Sequence, residues 1–187
     1  MEKMTLTKVA LAALSLAGAA SVTTAQIERL TLAQMVAKTD NSVLGEITKK
    51  EVIRIDHPVD GPELYFTHLT VKGRSLVDGK SQTAVVTYYG GFIDDENGTW
   101  NSESPSDEDT KLGTEVVVFF KHSDNMGGDL AANALYASHG GLYRTATGRK
   151  GTVVLGRGDG YAIDDNILLE SLDERITELS ESEGDTK

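Results

Sequence analysis

Apolar and polar residues alternate along residues 42–55, SVLGEITKKEVIRI. One parity carries Val43, Ile47, Ile53 and Ile55, and the other carries Glu46, Thr48, Lys50 and Arg54. A period of two residues is typical of a half-buried strand. Gly45 has no side chain to resist bending, which suits a strand that curls. We therefore predict that this stretch is the central strand of a small β-barrel.

Further strands are predicted by alternation, by β-branched and aromatic residues, and by the turn residues around them. They cover residues 64–72, 82–89, 115–121, 141–146 and 152–155. Residues 115–121, EVVVFFK, are the most continuously apolar, which predicts burial on both faces of the sheet. Residues 73–80 and 122–129 are predicted loops, and residues 130–138 fit either a short helix or a strand.

Two helices are predicted at the ends of the patterned region. Thr31 and Gln34 can form a capping box, and Leu30 can pack on Met35, so a short helix is expected to follow and end near residue 40. The second helix is predicted behind Asp164 and Asp165 by helical spacing of Ile167, Leu168, Leu172, Ile176 and Leu179. This order of elements predicts a mostly β protein built on a small antiparallel β-barrel with flanking helices.

The first 25 residues have the layout of a secretory signal peptide, with lysines, an apolar core and small residues that end at Ala25. The alternative, an uncleaved anchor, is disfavoured because the apolar core is short for a membrane span. We predict a periplasmic or secreted protein without an integral membrane span. Because the chain has no cysteine, its stability must come from its core and not from disulfides.

Residues 26–180 are predicted to form one domain, and residues 181–187 a disordered tail. The formal net charge of −11 argues against nucleic-acid partners, whose binding needs clustered lysine and arginine, and against docking on anionic lipid. Much of the acidity lies in residues 92–112, FIDDENGTWNSESPSDEDTKL, which are polar and weakly patterned. We call these residues the acidic loop and predict a long surface loop or insertion.

The acidic loop offers the best candidate ligands for a metal ion. Its candidate calcium ligands are Asp94, Asp95, Glu96, Asp107 and Asp109. Their spacing is not that of an EF-hand loop, so a purely solvated loop is the competing interpretation. Trp100, the only tryptophan, is interpreted either as an anchor that pins the loop to the barrel, which we favour, or as an exposed partner-binding residue.

No motif for catalysis or for a cofactor is recognisable. The four histidines lack close zinc-ligand spacing, and Ser138-His139-Gly140-Gly141 occurs without the G-x-S-x-G sequence that an esterase of this type needs. Gly156, Gly158 and Gly160 precede no predicted phosphate-binding helix and are interpreted as a turn. No catalytic or cofactor-binding residue is therefore predicted, although a dispersed hydrolase site with His122 or His139 remains an alternative.

The order of several short segments resembles a set of exported bacterial proteins of unassigned function. These segments are residues 32–40, SVLGEI at 42–47, residues 67–71 and 85–91, LGTEVVVFF at 112–120, LYR at 142–144 and GTV at 151–153. The order is also similar, more distantly, to the OB-like barrel of netrin-type domains, which include tissue inhibitors of metalloproteases. This resemblance implies a five-stranded, partly open barrel that serves as a binding scaffold. Those inhibitors use an N-terminal cysteine and disulfides, which this chain lacks, so their inhibitory mechanism is not carried over.

The expected function is that of an exported, non-catalytic binding module that engages a protein or a cell-envelope partner. The alternatives are a calcium-dependent structural or adhesive protein that uses the acidic loop, and the hydrolase with a dispersed site.

Overall fold

The computed structural model describes residues 28–184. The predicted signal peptide, residues 1–25, and the end of the predicted tail, residues 185–187, lie outside these residues. The helices are α1 (Leu32–Lys38) and α2 (Leu169–Gly184), with a 3-10 turn at Ser138–Gly141. The strands are β1 (Asn41–His57), β2 (Gly61–Ser75), β3 (Ser81–Tyr89), β4 (Gly91–Phe92), β5 (Gly98–Thr99), β6 (Glu115–Ser123), β7 (Ala132–Leu135), β8 (Leu142–Gly148), β9 (Gly151–Val154) and β10 (Ile167–Leu168).

Five strands close into a barrel in the order β1-β2-β3-β7-β6, with β6 returning to pair with β1. The neighbours are antiparallel except for β3 and β7, which run parallel. The predicted fold class, a mostly β protein with a small OB-like barrel, a short N-terminal helix and a C-terminal helix, is confirmed. The barrel is closed, whereas the resemblance implies a partly open one.

Two local features allow the long strand β1 to bend, a β-bulge and a glycine. The β1–β2 register shifts between Ile47 and Lys49, so a bulge at Thr48 explains why the sequence alternation weakens just beyond it. Gly45 lies opposite Gly73 of β2, and the two backbones are so close that a Cβ on Gly45 would lie 2.5 Å from the Lys72 carbonyl oxygen. β2 continues to Ser75, through residues that the sequence pattern assigns to a loop.

β6 is buried on both faces, as predicted. Val116 and Val118 point into the barrel and pack with β1, β2 and β3 residues, whereas Val117 and Phe119 belong to a second core beneath the helices. All four side chains have no exposed surface. The strand therefore lies between two hydrophobic cores and contributes side chains to both.

Both helices pack on this second core, which lies outside the barrel. α1 begins with the predicted capping box between Thr31 and Gln34, and α2 buries Leu172 and Ile176 completely. α2 begins later than predicted, because residues 167 and 168 pair with β9 as β10 before the helix starts. It also continues to Gly184, through four residues assigned to the tail. Within residues 28–184, neither helix is long and apolar enough to cross a membrane.

The close approach at Gly73 yields a stability prediction. A methyl group in Gly73→Ala would overlap the Leu44 carbonyl oxygen, so the β1–β2 pair must separate. We expect a loss of about 2–3 kcal/mol in the free energy of unfolding, measured by urea denaturation. Lys72→Ala, at the exposed neighbouring position, is the control and should cost less than about 1 kcal/mol. Equal losses in the two variants would contradict the close approach.

Candidate functional site

The acidic loop is folded onto the barrel and contains its own hairpin, β4–β5. Asp94 organises the hairpin tip, because its Oδ1 accepts hydrogen bonds from the backbone N–H groups of Glu96 and Asn97, each at 2.9 Å. The Asn97 side-chain amide donates to both carboxylate oxygens. This amide, followed by the backbone donors, holds the pKa of Asp94 below its usual value. Asp94 therefore acts as a turn-forming residue.

The first part of the loop is attached to the end of β3. Thr67 of β2 donates its hydroxyl to the Gly90 carbonyl at 2.6 Å, and the Gly90 N–H donates to the Tyr65 carbonyl at 2.7 Å. Further along, Asn101 and Ser104 both donate to the Tyr89 carbonyl. The loop therefore turns back against the strand from which it leaves.

A lysine of β1 holds the loop close to its C-terminal end. The Lys50 ammonium donates to Asp107 Oδ1 and to the Thr110 hydroxyl, each at 2.9 Å. Thr110 is fully buried, and its own hydroxyl donates to the Ser106 carbonyl. A charged group from the barrel wall thus fixes two points of the loop.

The last part of the loop is held by Asp109, which lies between two arginines. Oδ1 is 3.0 Å from Nε of Arg144 on β8, and Oδ2 accepts from Nη2 of Arg157 at 3.0 Å. Burial, the largest single influence, raises the pKa of Asp109, but the Arg157 hydrogen bond and charge, the Ser106 hydrogen bond and the Arg144 charge together lower it below its usual value. Arg157 also lies over the Tyr143 ring, whose phenol pKa burial raises to about 12. Asp109 and Arg157 are largely buried, and their ion pair anchors the loop.

His139 connects the loop to the turn after β9. Its Nδ1 is 2.9 Å from the Glu103 carbonyl oxygen, and its Nε2 is 2.9 Å from the Tyr161 hydroxyl. Since a carbonyl oxygen can only accept, Nδ1 donates, and a neutral ring then accepts at Nε2 from Tyr161. Both nitrogens of the ring are therefore occupied by structural contacts.

A cleft of about 520 Å³ lies between the acidic loop and the barrel wall. The wall contributes Val52, Thr67 and Tyr88, and the loop contributes Phe92, Trp100 and a run of hydroxyl and amide side chains. Gly91 also lines the cleft and has a φ of 129°, and a side chain there would collide with Thr67 and Val52. The cleft therefore requires a glycine at this position.

Three large apolar side chains in the first half of the loop face solvent, and two of them, Phe92 and Trp100, line this cleft. The exposed fractions are 55% for Phe92, 52% for Ile93 and 75% for Trp100. We call these three residues the apolar rim. The exposure of Trp100 contradicts the interpretation of this residue as an anchor, and its role as a partner-binding residue stays a prediction. The anchors of the loop are instead polar: Lys50, Arg144, Arg157 and His139.

The candidate calcium ligands are not gathered into one group. Within residues 28–184, no cluster of three or more histidine or carboxylate side chains is arranged to hold a metal ion. Asp94, Asp95 and Glu96 share the hairpin tip, whereas Asp107 and Asp109 are engaged by Lys50 and by the two arginines.

The histidines proposed for a dispersed hydrolase site have separate surroundings. His122 is exposed and lies 3.4 Å from Asp124 Oδ1, while His139 is used as described above. Ala137 and Ser138, just before His139, have positive φ angles of 51°, which fit the tight turn between β7 and β8.

Comparisons with known proteins found no family model that matches this chain, and no significant match among curated proteins or solved structures. The resemblance to exported bacterial proteins therefore stays a prediction.

Sequence reasoning missed the basic residues that hold the loop. Lys50 stands on the polar parity of β1 and looks like ordinary barrel exterior, and Arg157 stands inside a glycine-rich turn. The one available signal is charge balance, since a loop rich in aspartate needs cations from elsewhere in the fold if it is to pack.

The Asp109 anchor predicts a pH-dependent contribution to stability. Asp109→Asn should lower the free energy of unfolding at pH 7 by about 2 kcal/mol, because two arginines lose their carboxylate. Since the native pKa of Asp109 is lowered, the stabilisation is fully present above the unfolded value and is lost as pH falls through the native one.

Urea unfolding of both proteins from about pH 3 to pH 7 tests this expectation. The difference between wild type and variant should be constant above about pH 5 and should shrink below about pH 4. Asp95→Asn, which changes an exposed carboxylate at the hairpin tip of the same loop, is the matched control and should have a small effect. A difference that does not change with pH would contradict the role of the Asp109 charge.

The separation of the candidate carboxylates predicts that the protein does not respond to calcium. With Asp94 occupied by its own turn and Asp109 by two arginines, millimolar calcium should leave the Trp100 emission and the melting temperature unchanged. Magnesium at the same ionic strength is the control for general screening. A saturable rise in melting temperature with calcium alone would show that the loop rearranges to bind it.

Proposed function

We propose that this protein is an exported, non-catalytic binding module that engages a protein or cell-envelope partner through the acidic loop. The observation that carries the proposal is the exposed apolar rim, Phe92, Ile93 and Trp100, two residues of which, Phe92 and Trp100, line a formed cleft. Scattered single apolar residues on a surface need no explanation, but two exposed aromatic side chains that line the same concavity, Phe92 and Trp100, are typical of an interaction site. Export rests on the pattern of residues 1–25.

The attachment of the acidic loop to the rest of the protein favours partner binding by the apolar rim. Lys50, Asp109 and His139 attach the loop to the barrel and to the turn after β9, so the rim is presented on a scaffold that needs little ordering when a partner binds. Preorganised loops lose less conformational entropy on association and therefore bind more tightly for the same contacts.

The charges around the rim restrict the partner. Asp94, Asp95 and Glu96 at the hairpin tip are exposed, and the whole chain has a net charge of −11. Long-range repulsion therefore disfavours anionic partners such as nucleic acid. Neutral partners, or partners with basic groups near their contact surface, are favoured.

A capture experiment with a surface variant tests this function. The full chain, immobilised, is incubated with envelope and culture fractions of its source, and the same is done with Phe92→Ser/Trp100→Ser. We expect a specific component to be retained by the wild type and lost with the double variant, because the variant removes most of the exposed aromatic surface.

Val59→Ser is the matched control. Val59 is 84% exposed on the β1–β2 turn and does not line the cleft, so this variant should retain the component. Equal melting temperatures for all three proteins establish that the fold is intact. Repeated capture with no retained component, or equal retention by the double variant, would overturn the proposal.

A further inference from the structure

The hydrogen-bonding groups of the cleft are neutral. Within residues 28–184, only Lys50 and Asp107 among the lining residues are charged, and they pair with each other at 2.9 Å. The remaining polar lining consists of hydroxyl and amide side chains. A ligand that carries a net charge would therefore find no unpaired opposite charge inside the cleft, and its desolvation would not be offset.

Several donors in the cleft have no partner within the described part of the chain. The hydroxyls of Thr99 and Ser102 and the indole N–H of Trp100 make no hydrogen bond to protein there. In contrast, the Thr67 hydroxyl donates to the Gly90 carbonyl, and the Ser104 hydroxyl donates to the Tyr89 carbonyl. The free donors thus lie together on the stretch 99–102, next to the apolar rim, and can serve a bound molecule.

Aromatic and apolar groups supply the other half of the lining. Among these lining residues, Trp100 and Phe92 are more than half exposed, Pro105 and Tyr88 are buried, and Val52 is half-buried. Burial raises the pKa of Tyr88, so its phenol stays protonated and neutral. The volume, about 520 Å³, is within the range of small-molecule sites, roughly 300–1,000 Å³. A fitting ligand must have a non-polar face for the rings and several neutral hydroxyl or amide groups at its edges.

We propose that this cleft binds a neutral saccharide. A sugar ring has C–H groups that can pack on the electron-rich face of Trp100 or Phe92, and hydroxyls in the ring plane that can pair with Thr99 and Ser102. Free saccharides and a glycan on an envelope polymer or a protein share this chemistry. The inference rests on the proposed function, because it names the ligand of the same site.

Titration with neutral trisaccharides tests the proposal. Cellotriose, maltotriose and N,N′,N″-triacetylchitotriose are added to the full chain up to about 10 mM, and the emission of Trp100 is followed. Because Trp100 is the only tryptophan, the signal reports on this residue alone. We expect a saturable change with at least one sugar. Absence of saturable change with all three would overturn the proposal.

Variants assign the binding to the cleft by isothermal titration calorimetry. Trp100→Ala should weaken binding at least tenfold, which equals about 1.4 kcal/mol, and Trp100→Phe should retain more affinity because it keeps a ring. Ser102→Ala should weaken binding about twofold to tenfold through the lost donor. Val59→Ser should bind as wild type does, and equal affinity of Trp100→Ala and wild type would place the sugar elsewhere and overturn the proposal.

The capture experiment separates this inference from the proposed function. If the envelope component is lost with Phe92→Ser/Trp100→Ser but no trisaccharide binds, the binding function stands and the saccharide assignment fails. If the captured component is released by the trisaccharide that binds in solution, both are supported. If neither capture nor titration gives a signal, both fail.

Discussion

The burial of β6 on both faces is the constraint on which the rest of the structure depends. Val116 and Val118 complete the barrel interior, while Val117 and Phe119 are the surface on which α1 and α2 pack. One edge of β6 pairs with β1, and the other pairs first with β8 and then with β7. The same strand therefore closes the barrel and starts the outer sheet, so a polar substitution on either parity would damage a core.

The edge of β6 that pairs with both β8 and β7 determines where the acidic loop can attach. Between β7 and β8 the chain makes the tight 3-10 turn, and Gly141 lies so close to the Tyr136 carbonyl that a side chain could not fit. This turn carries His139 to the Glu103 carbonyl, and β8 carries Arg144 to Asp109. The loop contacts thus depend on the pairing of β6 with β7 in the barrel and with β8 in the outer sheet.

A loop with this composition is expected to be solvated, because it has little apolar surface to bury. Here its polar groups replace a hydrophobic core: Asp109 and Thr110 are buried with satisfied partners, while the apolar side chains Phe92, Ile93 and Trp100 stay outside. This inversion is unfavourable for the loop alone, since exposed aromatic surface is not stabilised by burial. The binding function proposed above offsets this cost, because a bound molecule covers that surface.

The sequence by itself determined the elements that depend on local pattern. The strand at residues 42–55, the apolar run 115–121 and the Thr31 capping box are all features of near neighbours, and each appears in the structure. The strict alternation does not, because residues 42–45 are buried in succession and the bulge at Thr48 shifts the register. The tertiary structure alone decided the parallel pairing of β3 and β7, the strand at residues 167–168, and the exposure of Trp100. The loop anchors also belong to this second group, because Lys50, Arg157 and Asp109 are far apart in the chain. Pairing and ion-pair partners at such separations depend on the path of the whole backbone, which no local period encodes.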